Sequence, residues 1–308
     1  MAPDSVPAVA TSSISQADGI RWPPDARRPE PAPRRIRVLG PPSFSITTIF
    51  AGAWNLFQYA DLFYTLSLFR LKVRYKQSVL GWLWAALQPL ALMGIYTFVF
   101  AHVTKVNTGG TPYPAFVFCG LLPWIFFSGS IANAVHGMVA YPTLLTKMYF
   151  PREIIPLSYL AAGVVDFVIA SVILVGILGH YRIVPTWNLL YVLPVLVLLG
   201  AFAAAIALFF AAVHVRFRDV GLALPFLLQI WMFATPVVYS MASVPVRLRS
   251  FYVLDPVAGA IDMFRSAVLL GRAPNLYTLG LTCGLTILAL VSAYAYFKAS
   301  EAVMADLV

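Results

Sequence analysis

The sequence carries very little charge. Its 308 residues include 21 Lys and Arg and 12 Asp and Glu, so 11% of positions are charged, while 60% are hydrophobic. Uncharged runs at 77–104, 106–146, 183–215, 220–246 and 273–297 together cover half of the chain. Because every element of a soluble protein needs charged positions where it meets water, runs of this length exclude a soluble enzyme and a disordered chain.

Cysteine and nucleotide-binding motifs are also scarce. The two cysteines, Cys119 and Cys283, lie far apart inside apolar stretches, so neither a disulfide framework nor a metal site is indicated. The phosphate-binding sequence G-x-x-x-x-G-K-S/T does not occur, and the chain is not expected to hydrolyse ATP by itself. We therefore expect no catalytic residue, cofactor or metal in this chain.

The apolar runs predict an all-α membrane protein, because about 20 residues of helix cross the hydrocarbon core. We predict six spans, at 81–104, 114–138, 157–180, 189–213, 221–242 and 276–297. Four regions follow from this pattern: a disordered tail rich in Pro and Arg at 1–45, an amphipathic region at 46–80, the six-span domain at 81–298 and a short C-terminus at 299–308.

The distribution of cations predicts the orientation of these spans. With both termini in the cytoplasm, the inside segments carry fifteen Lys and Arg and the outside segments six. Since cytoplasmic loops of membrane proteins are enriched in Lys and Arg, this ratio favours that orientation. The formal net charge of +9 is explained in the same way, and a nucleic-acid partner is not expected.

An amphipathic helix is predicted just before the first span. Tyr59, Leu62, Leu66, Phe69 and Val73 repeat at helical spacing beside a polar stripe. We interpret this segment as an interfacial helix that contacts membrane lipids. The alternative is a short helix docked on a partner protein.

The cytoplasmic loop at 141–153 is predicted to form a short coupling helix that docks on a partner protein. Prolines at 142 and 151 separate it from the neighbouring spans, and apolar side chains on such a loop suggest a partner. The docking residues are Leu144, Leu145, Lys147, Met148, Phe150, Arg152 and Glu153. The alternative is a loop packed against its own bundle.

Several blocks of the sequence resemble one family. They are LKVRYKQSVLGWLW at 71–84 followed by QP at 88–89, GLLPW at 120–124, LTKMYFPRE at 145–153, VRFRDV at 215–220, TPVVY at 235–239, and LDP at 254–256 leading to FR at 264–265. In order and spacing the chain resembles the membrane subunit of type-2 ABC exporters for polysaccharides, the permeases for O-antigen, capsule and teichoic acid. One departure is Arg70-Leu71, where such proteins usually carry an acidic residue before the position of Lys72.

The resemblance implies a homodimer bound to two copies of a separate subunit, which would bind ATP and Mg²⁺ and contact the 141–153 loop. It also implies export of an undecaprenyl-linked polysaccharide across the bacterial inner membrane. Two alternatives stay open: a type-2 ABC permease for a drug or small lipid, and a membrane glycosyltransferase or polymerase.

Two polar groups are candidates for contact with the substrate or its carrier lipid. Arg216 and Arg218, at the cytoplasmic mouth, can grip a pyrophosphate, although they equally satisfy the rule for cytoplasmic cations. Asp166, near the middle of its span, must face protein or water. Its hydrogen-bond partner is expected among Gln88, Asn133, His136 and Gln229, and packing and substrate contact are both open roles.

The remaining candidates lie towards the outer face. Pro256, Asp262 and Arg265 belong to an apolar segment too short to cross, which resembles an outer, re-entrant gate; the alternative is a helix resting on the membrane. Rings that share helical faces are candidates for lining a glycan path, and the alternative is the ordinary interfacial aromatic belt. These are Tyr96 with Phe100, and Trp124 with Phe127.

Overall fold

The computed structural model of the chain describes residues 58–307 except 77, 104–107, 109 and 141–149. All regular structure in these residues is helical, as predicted. The α-helices are α1 (Ala60–Tyr75), α2 (Leu83–Thr97), α3 (Tyr113–Val139), α4 (Ile154–His180), α5 (Val192–Arg216), α6 (Asp219–Ala234), α7 (Val246–Val253), α8 (Pro256–Val268) and α9 (Leu276–Leu307). A π-helical turn, Phe98–Val103, follows α2, and short 3-10 helices lie at Trp187–Tyr191 and Met241–Ser243. The predicted tail at 1–45 and the stretch 46–57 lie outside the described residues.

Five helical segments in the described part of the chain are long and apolar enough to cross a membrane. They are Leu83–Ala101, Tyr113–Val139, Ile154–His180, Trp187–Arg216 and Leu276–Glu301. Each overlaps a predicted span. The last helix continues to Leu307, so it runs through the segment 299–307 that the sequence suggested as a short separate C-terminus.

The predicted span at 221–242 is longer than the helix found there. Helix α6 has 16 residues and ends at Ala234, a length of about 24 Å against about 30 Å for the hydrocarbon core. Thr235 is extended, with ψ at 141°. It precedes Pro236, and a residue before proline is driven out of the helical region by steric clash with the proline ring. Helix α6 by itself is therefore shorter than a full crossing of the hydrocarbon core.

Helix α3 forms the centre of the bundle. It starts where Pro114 can occupy a first-turn position without losing a hydrogen bond. Within the apolar stretch of 18 residues in this helix, 78% of the residues are buried in the protein, whereas the corresponding share for Leu83–Ala101 is 11%. Glycines permit the closest approaches. A Cβ on Gly137 would lie 1.9 Å from the Tyr159 ring, so only glycine lets α4 pack this closely on α3.

Two ends of the bundle can be distinguished along α3. The Tyr113 end holds the start of α3, the segment 235–239 after α6, and α8, which are joined by hydrogen bonds described below. The Val139 end holds Met138 of α3, Ile154 and Ile155 of α4, Val215 of α5 and Phe297 of α9, which share one buried cluster.

Helix α8 lies inside the protein at the Tyr113 end. Its N-cap is Asp255, whose side chain accepts a hydrogen bond from the backbone N–H of Val257 at 3.0 Å. Val257, Ile261 and Phe264 are almost fully buried, and α8 packs against α3, α5 and α9. Protein therefore surrounds most of this helix.

Helix α1 packs partly on the protein and partly faces outward. Its first two turns place Leu62 and Leu66 against the buried cluster of the Val139 end. Phe69 and Val73, in the second half, remain exposed. The apolar stripe seen in the sequence is thus divided between the helix bundle and the surroundings.

Candidate functional site

A cavity of about 630 Å³ opens between the last turn of α1 and helices α2, α3, α4 and α6. This volume is within the range of about 300–1,000 Å³ that is usual for small-molecule sites. Its lining combines polar side chains with aromatic rings. The polar residues include Gln88, Ser128, Ser130, Asn133 and Gln229, and the aromatic ones include Trp84, Tyr96, Trp124, Phe126 and Phe167.

Asp166 lies at the edge of this cavity and is held by α1. The guanidinium of Arg74 donates to one carboxylate oxygen of Asp166 and forms an ion pair with it. The hydroxyl of Tyr75 donates to the other oxygen at 2.6 Å. Burial, followed by the hydrogen bond and charge of Asp166, raises the pKa of Tyr75 to about 12, so the hydroxyl keeps its proton at neutral pH.

The prediction that Asp166 bonds to one of Gln88, Asn133, His136 and Gln229 is therefore wrong, because Arg74 and Tyr75 hold its carboxylate instead. Helix α1 packs against α4, and its last turn reaches the level of Asp166. Three of the expected partners, Gln88, Asn133 and Gln229, line the same cavity but make no hydrogen bond with the carboxylate. In the sequence, Arg74 is one of the fifteen cations assigned to the cytoplasmic side, and its spacing does not link it to Asp166.

The predicted aromatic pairs form, but only part of each pair faces the cavity. The ring centroids of Tyr96 and Phe100 are 6.1 Å apart, and those of Trp124 and Phe127 are 5.7 Å apart. Tyr96 and Trp124 line the cavity, whereas Phe100 and Phe127 do not. Phe127 is fully buried and stacks on Phe202 with centroids 5.8 Å apart. Phe127 is therefore a core residue and does not line this cavity, although the sequence suggested it as a ring lining a glycan path.

Arg265 is buried at the Tyr113 end and is held there by hydrogen bonds. Its guanidinium donates to the backbone carbonyls of Phe116 at 3.3 Å, of Pro236 at 2.6 Å and of Val237. It also stacks over the Phe116 ring, 3.9 Å from the centroid, and Arg265 is only 7% exposed. Its neighbour at i−3, Asp262, is exposed instead, so α8 buries the guanidinium and leaves this carboxylate at the surface of the subunit.

A second set of contacts ties α6 to α8, and no pattern in the sequence predicts it. The carboxylate of Asp255 accepts hydrogen bonds from the Thr235 hydroxyl at 2.6 Å and from the Trp231 indole at 3.3 Å. Burial raises the pKa of Asp255, while these hydrogen bonds act against that rise. Tyr113 adds a hydrogen bond to the carbonyl of Val238 at 2.7 Å. Pro256, the first residue of α8, is buried beside this network.

Three predicted docking residues bind the protein's own bundle at the Val139 end. Phe150 is 8% exposed and packs in the buried cluster. Arg152 donates to the carbonyl of Glu301 at 2.6 Å. Glu153 is 1% exposed and accepts hydrogen bonds from Lys298 at 2.9 Å and from Tyr294 at 3.3 Å. The cluster covers Phe150 and α9 covers Glu153, whereas Arg152 is half-buried.

The other predicted docking residues, Leu144, Leu145, Lys147 and Met148, lie outside the described part of the chain. Arg216 and Arg218 are exposed at the junction of α5 and α6, and neither lines the cavity. Near this junction the backbone N–H of Gly221 donates to His214 Nδ1 at 3.1 Å. No group of three or more potential metal ligands occurs among the residues that the structure describes.

Comparison with known proteins gives a consistent result. The profile of the family described as ABC-2 type transporter matches residues 61–269. The O-antigen export system permease protein RfbA of Myxococcus xanthus is 35% identical over 167 residues, which cover 54% of this chain and 63% of that protein. A protein of the same name from Klebsiella pneumoniae is 32% identical over 169 residues, covering 54% of this chain and 64% of that protein. The matching part therefore spans less than two thirds of the length of these relatives.

Proposed function

We propose, on the premise that this chain belongs to the ABC-2 type transporter family, that it is the membrane-spanning subunit of an ATP-driven exporter of a polysaccharide. The observation that carries the proposal is its similarity to two proteins named as O-antigen export permeases. The wide cavity lined by amides and aromatic rings supports it, because sugars offer hydroxyl groups to the former and C–H faces to the latter.

The proposed topology has six crossings in the bacterial inner membrane, with both termini in the cytoplasm. The excess of cations on one side supports this orientation, and it makes the Val139 end cytoplasmic. Helix α6 and the irregular chain after it would make the fifth crossing together. Irregular backbone is acceptable at membrane depth where protein shields it, and the residues 235–238 are buried.

The proposed gate is α8 with Pro256, Asp262 and Arg265, at the outer end. Arg265 would hold the gate in place, since its donors are used by backbone carbonyls. Asp262, which is exposed, would be free to face the exit. Tyr96 and Trp124 are the path residues that the cavity supports.

The proposed partners are a second copy of this chain and two copies of a separate ATP-binding subunit, which would bind ATP and Mg²⁺. Leu144, Leu145, Lys147 and Met148 would contact that subunit. Arg152 and Glu153, through their contacts with α9, would transmit its movement to the bundle. Arg216 and Arg218 would bind the pyrophosphate of an undecaprenyl carrier.

Deletion of the gene tests the proposed function. We expect lipid-linked glycan to accumulate on the cytoplasmic side while surface glycan disappears, which extraction of the lipid-linked pool and surface immunolabelling would measure. Normal surface glycan would instead favour a permease for a drug or small lipid. Absence of both the lipid-linked and the surface glycan would favour a glycosyltransferase or polymerase.

The coupling segment is tested by Leu145→Glu. We expect ATP hydrolysis by the assembled complex to continue while export stops, because a charge at the contact disturbs an apolar docking surface. Phe150→Glu is the informative comparison: since Phe150 is buried, this variant should lose folded protein from the membrane. Unchanged export in Leu145→Glu would contradict the docking role.

A further inference from the structure

We propose that His214 is a positioning residue for α6: its unprotonated Nδ1 holds the first turn of that helix in place, and a proton on the same nitrogen releases the turn. The proposal goes beyond the proposed export function. It is connected to that function at one point, since Arg216 and Arg218, proposed above as ligands of a pyrophosphate, belong to the same junction between helices.

The junction between α5 and α6 is very short. Helix α5 ends at Arg216 and α6 begins at Asp219, so two residues, Phe217 and Arg218, connect the helices. Phe217 leaves the helical conformation, with φ at −125° and ψ at 98°. Because the connection is this short, the contacts made by the first turn of α6 also determine where the two arginines of the junction stand.

The side chain of His214 reaches from α5 to this first turn. His214 is 7% exposed, and its Nδ1 accepts a hydrogen bond at 3.1 Å from the backbone N–H of Gly221, the third residue of α6. The same N–H also lies 3.2 Å from the carbonyl oxygen of Arg218, so the two acceptors share it. The first N–H groups of a helix lack full partners within the helix, and the imidazole supplies one from the preceding helix.

A second histidine ring closes over the same glycine. The ring of His136 on α3 lies at 79° to that of His214, with centroids 5.7 Å apart. A Cβ on Gly221 would lie 2.5 Å from the His214 ring and 3.1 Å from the His136 ring, so only glycine lets both rings come this close. The start of α6 is thereby held against α3 and α5, just as its end is held by Asp255.

The hydrogen bond to His214 is sensitive to protons. An imidazole nitrogen that accepts a hydrogen bond carries no proton, and histidine changes its charge between about pH 5 and pH 8. A proton on Nδ1 would set two donors against each other and add a cation at the positive end of the α6 dipole. The charged and titratable groups around the ring are His136, Arg216, Arg218 and Asp219, of which three are basic. The other such groups of the Val139 end are joined to one another, namely Arg152, Glu153, Tyr294, Lys298 and Glu301. The contact is therefore present while His214 is neutral and is lost as the pH falls.

Hydrogen exchange of the full chain in detergent micelles tests this role. A peptide that contains the Gly221 amide is compared among the wild type, His214→Asn, whose amide oxygen accepts a hydrogen bond without titrating, and His214→Leu, which has no acceptor. At about pH 8, His214→Leu should exchange about fivefold faster, the effect of losing one ordinary hydrogen bond, and His214→Asn should match the wild type. At about pH 5, the wild type should exchange about fivefold faster than His214→Asn. Comparison at equal pH removes the intrinsic effect of pH on exchange.

His180→Asn is the control, because His180 is an exposed histidine at the end of α4, and it should follow the wild type at both pH values. Equal exchange in the wild type and His214→Leu at the higher pH would show that Nδ1 does not hold the turn. A ratio of wild type to His214→Asn that stays constant with pH would show that no proton releases it. Should size exclusion show that His214→Leu is misfolded, this second comparison decides. Neither readout depends on export, so a failed deletion test would leave the result unchanged.

Discussion

Arg265 and Arg74 differ in how the protein satisfies their guanidinium groups. Arg265 is buried and donates to three backbone carbonyls from two segments of chain. The Arg74 side chain is 30% exposed and pairs with a single carboxylate at the edge of a cavity. A guanidinium enclosed by carbonyls holds the backbone in one arrangement, whereas an exposed ion pair can open at little cost. The Tyr113 end is therefore fixed, and the cavity edge is adaptable.

Arg265→Met tests the fixed end and should have the largest effect. Removing the guanidinium takes a donor away from three carbonyls inside the protein, and each buried polar group left unsatisfied costs about 1–3 kcal/mol. We expect little folded protein in the membrane, measured by fluorescence-detected size exclusion after solubilisation. Arg272→Met, at an exposed arginine of the same region, is the control and should behave like the wild type. Equal yields of the two variants would contradict the anchoring role.

Gly120→Ala tests the space around the same guanidinium. A Cβ at this position would lie 2.1 Å from an Arg265 nitrogen and 2.4 Å from the carbonyl oxygen of Val237. Overpacking of this kind costs about 1–3 kcal/mol, which a lower melting temperature in detergent would show. Gly129→Ala on the same helix meets nothing within 4 Å. It should be neutral or slightly stabilising, since alanine is the better helix former.

The Arg74–Asp166 pair should give the smallest effect. A double-mutant cycle with Arg74→Met and Asp166→Asn is expected to yield a coupling energy of about 1 kcal/mol or less, because the pair is partly exposed. Asp166→Asn should retain export, as Tyr75 can still donate to the amide oxygen. Thermal unfolding of the four proteins at low and high salt measures the coupling. A coupling of several kcal/mol, unchanged by salt, would show that this edge is as fixed as the Arg265 site.

Local features of the site were predictable, but its partnerships were not. The helical spacing of Tyr96 with Phe100 and of Trp124 with Phe127 predicted ring pairs that do form. Which ring of each pair faces the cavity depends on distant elements, such as Phe202 of α5 packing on Phe127. The partner of Asp166 lies 92 positions away in the sequence, and no periodicity connects residues at that distance.

The same distinction applies at the Val139 end. Phe150 looked exposed because it belongs to a loop between prolines, yet α4, α5 and α9 build a buried cluster around it. Glu153 belongs to the predicted docking loop, yet Lys298 and Tyr294 of α9 donate hydrogen bonds to its carboxylate. Burial of a loop residue depends on what packs over it, and that information is absent from the residue's own neighbourhood.

The sequence by itself determined that the chain is an all-α membrane protein and where most helices lie, because hydrophobic length and proline positions act locally along the chain. Only the tertiary structure decided that Arg265 is enclosed by carbonyls and that Arg74 reaches Asp166 beside a polar cavity. These outcomes depend on which helices meet. Close packing at sites such as Gly120 and Gly137 sets those meetings, and the hydrogen bonds that buried polar groups require then fix them in place.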